Sequence, residues 1–118
     1  MKPRWIVYVE DCIEVQDLMI DAIHEYDPEL RIACLDDLNQ AENLIGELNK
    51  SRLVRLVMAD WDLKEHGVGE DIIVYAKKLC LPTLMMSGLE RNTVADKYLK
   101  KPININDLYK ILDKYVKQ

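Results

Sequence analysis

Carboxylates, a hydroxyl and an ammonium stand at the ends of apolar runs in this chain. Glu10 and Asp11 follow Trp5-Ile-Val-Tyr-Val9, and Asp60 follows Leu56-Val-Met-Ala59. Ser87 closes Leu84-Met-Met86, and Lys101, with Pro102 behind it, closes Tyr98-Leu-Lys100. If these runs are parallel strands of one sheet, their polar ends converge, because open α/β sheets bind ligands beyond the carboxyl ends of their strands. Carboxylates ~4 Å apart repel by about 4 kcal/mol per pair at an effective dielectric of ~20, so three in one cleft favour protonation or a hard cation. Mg²⁺ suits such a cleft: it takes carboxylate and carbonyl oxygens, keeps waters and binds phosphate. Phosphoryl transfer asks mainly for positioning and charge stabilisation. An aspartate nucleophile, a divalent ion, a hydroxyl and a lysine together supply that.

The elements that must position these groups follow from apolar spacing, which switches between short buried runs and amphipathic stripes. Val15, Leu18, Met19, Ala22, Ile23 and Tyr26 share one helical face, and Pro28 marks the exit of that helix. Ile32 to Leu35 reads as a short strand. Asp36 or Asp37 caps a second helix with the stripe Leu38, Ala41, Leu44, Ile45 and Leu48. Leu53 to Ala59 has no polar face, as expected of a central strand covered on both sides. Ile72, Ile73, Tyr75, Ala76 and Leu79 suggest a third helix, and Pro82 precedes the fourth strand. Leu108, Ile111, Leu112, Tyr115 and Val116 line a last helix with Asn106 as its cap. The alternation predicts an α/β fold, a doubly wound five-stranded parallel sheet of the flavodoxin-like (βα)5 kind.

Bulk properties bound the function. A chain of 118 residues fits one domain, read here as 1–118 with no output domain attached. Apolar and charged contents of 49% and 31% are those of an ordinary globular protein, and no apolar run approaches the ~20 residues of a membrane span. With no signal segment either, the expected location is the cytoplasm, with no membrane partner. A net charge of −5 argues against sequence-independent nucleic-acid binding, which rests on cationic side chains. Cys12, Cys34 and Cys80 have neither disulfide nor zinc spacing and read as small apolar residues in strands or helix starts. His24 and His66 lack the partners of a nucleophilic triad and read as surface or helix residues.

Any one of the polar residues alone reads equally well as a solvated loop acid, a cap or a turn residue. As an ordered set, Glu10-Asp11, Asp60, Ser87-Gly88 and Ala95-Asp-Lys-Tyr-Leu-Lys-Lys101-Pro102, they resemble the response-regulator receiver domain of two-component signalling, a CheY-like family. The resemblance spans essentially the whole chain. It implies that Asp60 accepts a phosphoryl group from a phosphohistidine on a histidine kinase or phosphotransfer protein. Glu10, Asp11 and Asp60 would bind Mg²⁺ with the main-chain carbonyl of Asp62, Ser87 would hydrogen-bond a phosphoryl oxygen, and Lys101 would pair with the phosphate charge. It also implies a cis Lys101–Pro102 peptide and a signalling role for Tyr98, an aromatic that changes rotamer on activation in the family. Output would pass to a downstream protein by direct contact.

Two features depart from the family pattern. Only ten residues run from Gly88 to Lys97, about the minimum for a whole βαβ crossover, so the fourth helix is expected to be short or missing. Lys64 stands where receivers commonly carry proline, in an unusual Lys64-Glu-His-Gly-Val-Gly69 loop with Gly67 and Gly69 giving backbone freedom. Trp61, beside the acceptor, either lies over the site or packs on the domain. Two other readings remain. One is a pseudo-receiver that keeps the fold as a docking module without phosphorylation. The other is a haloacid-dehalogenase-like phosphohydrolase, suggested by Asp60-Trp-Asp62, Ser87 and Lys101 in order, although the acidic pair then precedes rather than follows the lysine.

Overall fold

The computed structural model describes residues 2–117. β1 (Trp5–Val9), β2 (Arg31–Leu35), β3 (Val54–Asp60), β4 (Thr83–Ser87) and β5 (Lys97–Lys100) form one parallel sheet in the order β2-β1-β3-β4-β5. This is the flavodoxin-like order, which creates a crevice at the carboxyl ends of β1 and β3, where the winding reverses. The helices are α1 (Ile13–Tyr26), α2 (Leu38–Asn49), α3 (Glu70–Lys78) and α4 (Ile105–Tyr115), with one turn of 3-10 helix at Lys64–His66. No helix among the described residues is long and apolar enough to cross a membrane.

Period-two alternation divides the core cleanly. Ile6, Tyr8, Leu56, Met58, Leu84 and Met86 pack with Met19 and Ile23 of α1 and Leu108 and Leu112 of α4. The intervening residues Val7, Val9, Val57, Ala59 and Met85 face Ala41 and Ile45 of α2 and Ile72, Ile73 and Ala76 of α3. Both faces are covered, which is why these strands carry no polar side until their last residues. Among the described residues no helix lies between β4 and β5: residues 88–96 form an irregular crossover, so of the two expected outcomes, a short or a missing helix, the helix is missing.

Local chemistry sets the helix starts. Asp37, not Asp36, caps α2 by accepting the Gln40 amide at 2.9 Å. The cap of α4 is Asn104 rather than Asn106: Asn104 has the extended backbone of a capping residue and accepts the Asn106 and Asp107 amides, whereas Asn106 lies inside the helix. Cys12 precedes α1 and Cys34 lies in β2, as expected. Cys80 does not fit that reading, since it follows α3 exposed and with φ of 61°.

The loop after β3 also corrects the reading of its glycines. Lys64 has φ of 55°, a value closed to proline, and its amide donates to the Asp62 carboxylate at 2.9 Å. Gly67, with φ of 111°, uses glycine's backbone freedom. Gly69 does not, since its φ is an ordinary −58°. Its need is steric: a Cβ there would lie 1.9 Å from the Asp60 carbonyl oxygen. The loop therefore folds back onto the end of β3, closed by the Gly69 amide donating to the Trp61 carbonyl at 2.8 Å.

Candidate functional site

Each polar group sits where a strand runs out. Glu10 follows β1 directly, Asp60 and Ser87 are the last residues of β3 and β4, and Lys101 follows β5. Ladder-like hydrogen bonds carry the sheet order into the site: the Trp61 amide donates to the Met86 carbonyl at 2.9 Å, and the Lys101 amide to the Ser87 carbonyl at 2.8 Å. The Lys101–Pro102 peptide is cis. These strand ends open on one cavity of about 350 Å³ lined by Glu10, Asp11, Asp60, Asp62, Ser87 and Lys101.

Carboxylate oxygens of Glu10, Asp11 and Asp60 all lie within 4.8 Å of one another. Glu10 and Asp60 are buried at 1% and 7% exposure, and Asp11 is half-buried. The Lys101 ammonium bridges the buried pair, 2.8 Å from Asp60 and 3.6 Å from Glu10. The Tyr8 hydroxyl donates to Glu10 at 3.1 Å and the Cys12 amide at 3.3 Å, while the Gln16 side chain donates to the Glu10 carbonyl at 2.6 Å. Glu10 is thereby fixed from three sides. Asp62 joins the cavity without joining the cluster: its carboxylate is exposed and occupied by the Lys64 amide.

One ammonium does not balance this charge. Burial, reinforced by the neighbouring Asp60, pushes the Glu10 carboxyl above its ordinary value, with Lys101 opposing. Burial likewise raises Asp60, and the charges of Asp11 and Asp62 add to the rise against the pull of Lys101. Burial alone would lower Lys101, but its contacts with Asp60 and Glu10 outweigh it and hold the ammonium above its usual range. Tyr8 is raised by burial and by Glu10, so it remains a neutral donor. A cluster of hard oxygen donors with excess negative charge fits a small divalent cation.

Ser87 presents its hydroxyl to the same cavity and accepts the Leu89 amide at 3.2 Å. Tyr98 ties the crossover down by donating to the Leu89 carbonyl at 2.6 Å. Trp61 packs against the α2/α3 face of the core, and its ring takes the Arg91 guanidinium at 5.1 Å. His24 and His66 lie outside the cavity.

Sequence reasoning passed over Tyr8, Gln16 and Arg91. Tyr8 was findable: two residues before Glu10 on a strand, it shares the same face. Arg91 lies in a segment without periodicity, and nothing in the sequence places it.

The fold is that of a flavodoxin-like α/β protein, and its polar pocket lies at the topological switch point. Solved structures narrow the class. Chemotaxis protein CheY4 of Vibrio cholerae is 16% identical over 97% of this chain and 99% of its own, with a TM-score of 0.75. A response regulator receiver domain from Clostridium thermocellum is 15% identical over 94% and 92%, with a TM-score of 0.79. The Mn²⁺-bound form of response regulator Rcp1 is 19% identical over 95% and 91%, with a TM-score of 0.70. No protein-family model matches the chain, and no curated protein is significantly similar in sequence. At such identities the likeness is one of fold: the chain has the CheY-like receiver fold.

Proposed function

We propose that the chain is a phosphorylation-switched receiver whose acceptor is Asp60, a signalling protein rather than a classical enzyme. The observation that carries this reading is the buried Asp60 carboxylate, 2.8 Å from Lys101 and clustered with Glu10 and Asp11 at the end of β3. A carboxylate oxygen of Asp60 attacks the phosphorus of a phosphohistidine presented by a histidine kinase or phosphotransfer protein. The O–P bond forms as the P–N bond breaks, and the imidazole leaves with the electron pair. Lys101 holds Asp60 in place and then pairs with a phosphoryl oxygen, and the Ser87 hydroxyl donates to another.

Glu10, Asp11 and Asp60, with the main-chain carbonyl of Asp62, are the groups that would hold Mg²⁺; the Mn²⁺ in Rcp1 accords with a divalent ion on this fold. Bound there, the ion supplies the positive charge that lets a phosphate dianion approach three carboxylates. The added charge and acceptor oxygens then draw neighbouring donors inward. Because the crossover between β4 and β5 is irregular, output passes to a partner protein through a face unlike that of receivers with a fourth helix. A D-x-D phosphohydrolase gains no support, since its second carboxylate would be Asp62, which here holds the loop.

Intact-mass spectrometry after incubation with Mg²⁺ and acetyl phosphate tests the reading. A single phosphoryl adduct is expected, absent in Asp60→Asn and in EDTA. No adduct from a folded, Mg²⁺-binding protein would replace the switch with a docking module of constant surface.

A further inference from the structure

The irregular crossover at residues 88–96 is tied down on both flanks. Tyr98 holds the Leu89 carbonyl at 2.6 Å, and the Glu70 carboxylate of α3 accepts the Thr93 hydroxyl at 2.5 Å and the Val94 amide at 2.9 Å. Between these tethers Arg91 is exposed. Its guanidinium lies 5.1 Å above the Trp61 ring, its Nε is 3.5 Å from the Ser87 hydroxyl oxygen, and the side chain lines the same cavity as Asp60.

Three cations line the cavity, Lys64, Arg91 and Lys101, and among the described residues only Arg91 and Lys101 have side chains in contact with Ser87, Asp60 or Glu10. These two differ in their commitments. Lys101 is bound to Asp60 and Glu10. Arg91 forms no ion pair among the described residues; only a ring face and a hydroxyl oxygen hold it. An exposed cation–π contact is weak beside a guanidinium–phosphate pair, in which two N–H groups meet two oxygens. Ser87 adds a geometric argument. Its oxygen accepts from both Leu89 and Arg91, which leaves its own proton free for the group that arrives on Asp60.

We propose that Arg91 is a second cationic ligand of the phosphoryl group on Asp60, parked on Trp61 until that group arrives. The proposal rests on the phosphoacceptor reading above. Phosphorylation draws the guanidinium off the indole ring and onto a phosphoryl oxygen beside Ser87. The tethered crossover then registers the state of Asp60 directly, with no fourth helix between.

The test uses beryllium fluoride, which mimics a phosphoryl group on an aspartate, with the full chain in Mg²⁺. A Trp5→Phe background leaves Trp61 as the reporting indole. Arg91→Gln is expected to weaken fluoroberyllate binding by at least about tenfold, the loss of one charge-assisted contact, with Mg²⁺ affinity changed by less than about twofold. Arg91→Lys, which keeps the charge and loses the fork, falls between. The Trp61 emission change on fluoroberyllate addition is expected in the parent and absent in Arg91→Gln. If Arg91→Gln binds fluoroberyllate as tightly as the parent, Arg91 only covers Trp61 and the proposal is overturned alone. If the parent itself takes up neither fluoroberyllate nor a phosphoryl group, the phosphoacceptor reading fails and Arg91's role goes with it.

Discussion

β1 carries a buried charged residue at each end, and the two are used in opposite ways. Arg4, just before the strand, is 6% exposed; it donates to the Asp27 carboxylate at 2.6 Å and to the Val116 carbonyl at 2.7 Å. One cation meets one carboxylate and one carbonyl, and the end of α1 is stapled to the end of α4. The Glu29 amide and Arg4 hold the Asp27 carboxyl below its ordinary value. Glu10, just after the strand, is 1% exposed and shares one lysine with Asp60, while the Asp11 carboxylate lies within 4.8 Å of both acids. There Glu10 and Asp60 are raised, not lowered. A buried charge saturated by its partners is a staple. A buried charge left in excess fits a cation.

The largest expected effect is at the staple. Removing one member of a buried pair costs about 3–5 kcal/mol, and because Asp27 is 25% exposed, Arg4→Met should fall at the low end, about 3 kcal/mol, in urea denaturation. A midpoint that stayed put would break the comparison. Next comes the cation. Mg²⁺ at roughly ten times its dissociation constant should stabilise the parent by about 1.4 kcal/mol, and thermal unfolding should show little or no gain in Asp60→Asn. Arg4→Met should keep that gain in full, since its end of the sheet holds no excess acid. Equal gains in the parent and Asp60→Asn would mean that the ion binds elsewhere.

The difference between the two ends also explains what the sequence disclosed. Glu10, Asp60 and Ser87 were legible because they end apolar runs, and Lys101 because it stands before Pro102 at the end of a short strand; a parallel sheet brings such ends together. That the fourth helix would be short or missing was legible from chain length, since the ten residues from Gly88 to Lys97 are about the minimum for a full crossover. Arg4 and Asp27 gave no such signal: an arginine before a strand and an aspartate after a helix look like surface residues until packing encloses them. Asn106 was taken as the cap of α4, and only backbone geometry shows that Asn104, two residues earlier, holds that position. Gly69 was misread because its constraint comes from the Asp60 carbonyl folded against it, a contact that no local pattern encodes.

A subtler contrast separates the ends by sign. Asp27→Asn removes the charge but keeps an oxygen that can accept from Arg4, so it should cost less than Arg4→Met, about 1 kcal/mol. Asp60→Asn removes a charge that the folded state disfavours, so without Mg²⁺ it should leave stability unchanged or raise it by up to about 1 kcal/mol. The pH dependence then differs in place as well as in sign. Asp27 has a folded value below its unfolded one, so its contribution is complete above the ordinary aspartate value of ~3.9 and is lost as pH falls through the lower folded value. Asp60 has a folded value above its unfolded one, so its charge costs stability at neutral pH, and the cost is relieved as pH falls through that raised value. Urea midpoints of the parent and both variants, measured in EDTA from pH 7 downward, should show Asp60→Asn converging with the parent first. Asp27→Asn should converge only in stronger acid. The reverse order would place the excess charge at the wrong end of β1, and the distinction between staple and site would fall.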